Sequence, residues 1–119
     1  MPDPLVLFMT TVIKKSSEFQ FIESRRPGVR SCRVISTNES MEQNLMMVEM
    51  VLNAEVEYHR VENSESFLVL EGELEIILEN ERQRLGREDV CYFAPGESHG
   101  VKCLSPKARF LVVFAPARR

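Results

Sequence analysis

Apolar residues fall in short runs along this chain, and polar turn-formers punctuate them. The runs "FQFI", "FLVL", "LEIIL", "VCYF" and "RFLVVFA" are rich in Val, Ile, Leu and Phe. Between them stand "RRPGVR", "STNES", "LNAE", "ENSE", "LEGE", "ENER", "GRED", "APGESHG" and "LSPKA", each carrying Gly, Pro, Asn, Asp or Ser suited to a turn. Many short strands at such close spacing predict an all-β sandwich or barrel. Within "LEIILE", Leu74, Ile76 and Leu78 alternate with Glu75 and Glu79, the pattern of a strand with one face exposed.

Two stretches read less simply. "SMEQNLMMVEMVLN" opens with a capping-box pattern from Ser40 to Gln43 and sets Met41, Leu45, Val48 and Leu52 at helical spacing. Its Met, Glu, Gln and Leu are good helix formers, so local propensity alone predicts a helix. The N-terminal "LVLFMTTVI" is apolar but shorter than the roughly 20 residues of a membrane span. Lys14 and Lys15 follow it, whereas a secretory signal places positive charge in front. It predicts a buried N-terminal strand.

Composition narrows the class. The 119 residues suit one domain, 1–119, and 44% apolar content can fill one core. A net charge of −3 argues against nucleic acid as a partner, and no segment suits a membrane. Cys32, Cys91 and Cys103 are odd in number and contain no CxxC, which suits a reducing compartment and predicts a cytoplasmic protein.

The candidate chemistry rests on the two histidines, His59 and His99. On a strand over 55–61, Glu57, His59 and Val61 share one face, with Tyr58 and Arg60 on the other. The polar turn "ENSE" brings Glu65 to the start of the next run, and Pro95–Gly96 can bend the chain to aim His99 inward. His59, Glu65 and His99 would form a two-histidine, one-carboxylate set suited to iron, manganese, nickel, zinc or copper. Taken singly, each is equally a satisfied interior residue or a surface one.

The spacing of these residues resembles the cupin family, small single-domain metalloproteins with a jelly-roll barrel. Its first motif runs Gly, His-x-His, Glu, Gly, and falls here on Asn53, His59, Val61, Glu65 and Gly72. Its second runs Gly, Pro-x-Gly, His, Asn, and falls on Glu88, Ala94, Gly96, His99 and Cys103. Fifteen residues separate Gly72 from Glu88, the short spacing usual in small cupins. The resemblance covers roughly residues 45–115. It implies a double-stranded β-helix with the N-terminal strand as an extension, turns "NLMMVEMVLN" into a strand, and makes His59, Glu65 and His99 the metal ligands. Val61 departs from the pattern by replacing one of the family's four usual ligands. Glu57 could substitute for it or simply meet solvent at the barrel mouth. Cys103, on the face of His99 by alternation, could be a further donor or a packing thiol.

An apolar lining of Phe67, Val69, Leu74, Ile76, Phe93 and Phe110 would suit a small, partly apolar ligand. Arg25, Arg26, Arg30 and Arg33 in "SRRPGVRSCR" could clamp an anionic group or form a solvated loop. Three functions stay open. The chain could be a metal-dependent enzyme, such as an oxygenase or isomerase, a non-catalytic binder of a small molecule, or a metal-free structural module. Strands apolar on both faces, "FLVL" and "RFLVVFA", predict a homodimer.

Overall fold

In the computed structural model, residues 11–117 are described. A short 3-10 turn at Ser16–Glu18 precedes ten strands. These are β1 (Ile22–Glu23), β2 (Val29–Ile35), β3 (Asn44–Val51), β4 (Glu55–Arg60), β5 (Ser64–Glu71), β6 (Leu74–Ile77), β7 (Arg82–Leu85), β8 (Val90–Phe93), β9 (Ser98–Cys103) and β10 (Lys107–Ala115). They form a six-stranded sheet, β1-β2-β3-β10-β5-β8, and a four-stranded sheet, β4-β9-β6-β7. All pairings are antiparallel. This is the all-β architecture that the strand pattern implied, in the jelly-roll form that the cupin resemblance implied.

Alternation builds the core from both sheets. On β10, Ala108, Phe110, Val112 and Phe114 turn inward, and on β5 Phe67 and Val69 do the same. Leu74, Ile76 and Val101 face them from the four-stranded sheet. Each of these side chains larger than alanine stabilises the fold by about 1.5–3 kcal/mol relative to exposure. At one end of this core the apolar packing gives way to the cavity described below.

The helical signal in "SMEQNLMMVEMVLN" is overridden. Asn44–Val51 is β3, hydrogen-bonded between β2 and β10 along its length. Val48 and Met50 fill the core while Met47 packs on the opposite face, a two-sided burial that a strand between neighbours supplies. The capping-box serine keeps its local role: Ser40 Oγ accepts from the N–H groups of Glu42 and Gln43 at 3.2 and 3.4 Å, within a turn.

The outer face of the larger sheet carries a second cluster, in which Cys32, Val34 and Met47 pack with Phe19, Phe21 and Leu111. Phe21 lies beneath the guanidinium groups of Arg30 and Arg109, at 5.2 and 5.4 Å. Both arginines reach the buried carboxylate of Glu49. Most of the stretch expected to form an N-terminal strand, residues 5–10, lies outside the described residues. Its last part, 11–13, is irregular and exposed. Among the described residues no helix is long and apolar enough to cross a membrane.

Turn conformations explain three motif positions. Asn53 and Glu88 stand where the cupin pattern has glycine, and both adopt left-handed backbone, φ 67° and 71°. Gly72 has φ +79°, and a Cβ there would lie 2.2 Å from the Lys107 carbonyl oxygen, so no other residue fits. Asn tolerates this region, whereas Glu incurs a steric cost of roughly 1–2 kcal/mol. Glu88 is exposed, so its side chain gives little in return. Glu88→Gly should therefore stabilise the fold by about 1 kcal/mol after the entropy of the unfolded glycine is counted. Thermal unfolding should show a rise of about 3–5 °C; an unchanged or lower midpoint would contradict the strain argument.

Candidate functional site

The polar residues of the barrel interior arrive from different sheets. Glu65 sits near the start of β5, in register with Phe93 of β8 and Phe114 of β10. His99 sits on β9 in the opposite sheet, placed by the turn at Gly96 (φ +87°). The Gly96 N–H donates to the Val61 carbonyl at 2.8 Å, and the Glu97 N–H to Ala94 at 3.1 Å, fixing the approach to β9. His99 Nε2 lies 3.3 Å from Glu65 Oε1, with the side chains 1% and 7% exposed. The imidazole stacks on Phe93 at 3.7 Å with an 8° tilt and meets the edge of Phe67 at 5.7 Å. Glu65 Oε2 and His99 Nδ1 are buried without a hydrogen-bond partner among the described residues.

His59 faces His99 across the β4–β9 pair, with ring centroids 5.3 Å apart. Its Nδ1 lies 2.8 Å from the Glu57 carbonyl oxygen. Donating that proton leaves Nε2 as the ring's free lone pair. His59 is half-buried, so it links the interior to the mouth.

Simple alternation along β4 fails at one place. Val56 pairs with Val101 and His59 with His99, so three steps on β4 match two on β9. The extra residue is a β-bulge, and it turns Val56, His59 and Val61 toward the core in place of the expected Glu57, His59 and Val61. Gly100 lies beneath the bulge: a Cβ there would come within 3.1 Å of Val56 O and Tyr58 N. A glycine inside a strand run was the signal that could have exposed this irregularity.

The remaining candidates take distinct positions. Glu57 is held by Arg26 through two hydrogen bonds of 2.7 Å, which fasten the β1–β2 turn to β4. Val61 is 4% exposed and packs in the apolar core. Cys103 shares the inner face of β9 with His99 but sits toward the other end, where its thiol lies 3.2 Å from the Ser105 carbonyl and 3.7 Å from that of Met50. It packs in the apolar core and does not line the cavity described below.

A cavity of about 450 Å³ opens over this group. His59, Glu65, His99 and Glu57 line it together with Arg25, Arg26 and Arg33, against walls that include Phe67, Phe110 and Phe114. Two observations suit a divalent ion. Metal bonds of about 2.0–2.2 Å set neighbouring ligands about 3 Å apart, close to the Glu65–His99 separation, and the donor types are right. Against this, among the described residues no three His, Cys, Asp or Glu side chains are gathered so as to hold a metal ion. Glu65 and His99 instead face each other as a pair.

Comparison with known proteins matches the geometry. Residues 46–114 fit the family profile of the cupin domain. An uncharacterised protein of Aquifex aeolicus is 27% identical over 113 residues, 95% of this chain and 91% of that protein. Among solved structures, KdgF from Halomonas sp. superposes with a TM-score of 0.83 at 23% identity, over 92% of this chain and 96% of its own. The polyketide cyclase RemF from Streptomyces resistomycificus gives 0.79 at 23% identity, over 92% and 82%.

The Arg26 hydrogen bonds, followed by the local backbone, hold the Glu57 carboxyl down at about 2 from its usual 4.5. A depressed carboxylate stabilises the fold fully above 4.5 and loses that contribution as pH falls from there toward 2. In an NMR titration, the Glu57 side-chain carbon should move with a midpoint near 2, and Arg26→Gln should return it to the ordinary carboxylate range. A wild-type midpoint already in that range would show that the latch does not persist in solution.

Proposed function

The chain belongs to the cupin domain family, and on that footing we propose that its barrel binds and acts on a small organic molecule, with His59, Glu65 and His99 as the reactive centre. One observation carries this reading: a buried carboxylate–imidazole pair lies beneath an open cavity whose lining joins charged side chains to aromatic and aliphatic walls. A carboxylate in such surroundings is costly without compensation. His99 supplies part of that compensation, and the pair gains a use if it exchanges a proton with a bound molecule. His59, with a free ring nitrogen nearer the mouth, is the group best placed to meet that molecule. Similarity to a polyketide cyclase supports a barrel able to carry chemistry and leaves the reaction open.

A second reading is favoured by the unpartnered Glu65 Oε2 and by the Nδ1 contact that frees His59 Nε2. In it His59, Glu65 and His99 hold a divalent metal, and the ion would supply Lewis acidity to a bound oxygen. Three protein ligands with open positions are enough for such a centre.

One preparation separates these readings. Protein purified without chelator or added metal is assayed for bound elements and, after denaturation, for released small molecules. Iron, manganese, nickel, zinc and copper are then added singly, and a library of small metabolites is screened by thermal shift. The small-molecule reading expects a released compound or a library hit whose stabilisation is lost in His59→Ala. The metal reading expects about one equivalent of metal in wild type and none in His59→Ala or Glu65→Gln. An empty barrel, inert to ions and library alike, would sink both and leave a structural module.

A second copy is proposed to cover the outer face at the β5–β8 edge, where Leu70, Val90 and Tyr92 are 39%, 64% and 63% exposed. Sedimentation should give a dimer that Tyr92→Glu dissociates; a monomeric wild type would refute this.

A further inference from the structure

We propose that the ligand of this cavity is a small carboxylic acid, its carboxylate held at the mouth by Arg33 and Arg25 and its apolar body lying against Phe67, Phe110 and Phe114. The inference rests on the small-molecule reading above and adds the charge of the ligand and the residues that choose it.

Strand β2 separates its arginines by face. Val29, Ser31 and Arg33 alternate onto the side lining the cavity. Arg30 and Cys32 point the other way, Arg30 to Glu49 at 2.7 Å and Cys32 into the outer apolar cluster. Arg33 therefore lines the cavity by register.

Arg25 and Arg26 come from the turn just before. Ser24 Oγ accepts from the Arg26 N–H at 3.0 Å, the Val29 N–H donates to the Arg26 carbonyl at 3.2 Å, and Gly28 takes φ +77°. The turn is thus fixed before any ligand arrives. Within it the two arginines divide their tasks. Arg26 is fully engaged by Glu57, which neutralises it and pins the turn over the cavity. Arg25 and Arg33 line the same cavity, are exposed, and make no ion pair among the described residues.

Charge supports the same ligand. The lining carries more guanidinium than carboxylate, on a chain whose net charge is −3. Of the two carboxylates there, Glu57 is paired with Arg26, and Glu65 lies buried against His99. Two guanidinium groups remain for an incoming anion, and their planar N–H pairs match a carboxylate. The aromatic and aliphatic walls below suit an apolar body and exclude a fully charged one.

The full-length chain is titrated by NMR with hexanoate, benzoate and phenylacetate, with the neutral amide of each, and with inorganic phosphate. At least one acid should shift the His59 and Arg33 signals, and its amide should not. Arg33→Gln and Arg25→Gln should each weaken that acid about ten-fold or more. Arg30→Gln, on the outer face, should leave binding unchanged, and thermal unfolding of all three variants verifies that they fold. Amides that bind as well as acids, an unaffected Arg33→Gln, or phosphate binding tighter than every acid would overturn the assignment while the small-molecule site itself stands. No shift with any probe also overturns it. Joined to an inert metabolite library, that last result would remove the broader reading as well.

Discussion

A carboxylate and an imidazole held in an apolar barrel constrain much of what surrounds them. Glu65 comes from the six-stranded sheet and His99 from the four-stranded one, so their contact joins the two halves of the jelly roll with a polar link. Burying either group alone would cost several kcal/mol. The surrounding structure therefore has to deliver both to one place with little freedom. The Gly96 turn, the stacked Phe93 ring and the edge of Phe67 provide that rigidity. Two polar atoms of the pair, Glu65 Oε2 and His99 Nδ1, lack partners among the described residues, which makes them a natural point of contact for something that enters.

Much of this was readable in the residues. Short apolar runs and frequent turn-formers specify strands through period-two alternation, and Leu74 and Ile76 bury as that pattern requires. Asn53 could be recognised as a glycine substitute because few side chains accept left-handed backbone. Spacing brought His59, Glu65 and His99 to one end of one barrel. What strict alternation could not supply was the bulge in β4, since an unpaired residue leaves no mark in hydrophobic periodicity. The same gap hid the role of Glu57, which depends on Arg26, a residue 31 positions away in sequence. Local propensity was misleading at β3, where burial between two neighbouring strands outweighs a helical signal worth tenths of a kcal/mol per residue.

The outer face of the larger sheet follows the opposite logic to the interior. There Glu49 is answered by two arginines, and both rest on Phe21, so the segment before β2 is drawn down over Cys32, Val34 and Met47. That cover fixes the start of β2 from outside, while the turn bearing Arg25 and Arg26 is held by its own hydrogen bonds and by Glu57. The arginines of one short stretch thus serve two unlike surfaces. Arg30 belongs to the packing of the outside, and Arg33 belongs to the opening of the barrel, with the pleat of the strand as the switch between them.

The direction in which His59 points is decided by an atom it does not own. Gly100 carries hydrogen where any other residue would carry carbon, and that vacancy accommodates the surplus residue of the neighbouring strand. A lineage that gained a side chain at position 100 would crowd out that surplus residue, and unless β4 also lost one, plain alternation would turn its histidine toward solvent. Substitution at 100 and deletion near 57–58 should accordingly travel together among descendants of this barrel, as one heritable unit of aim.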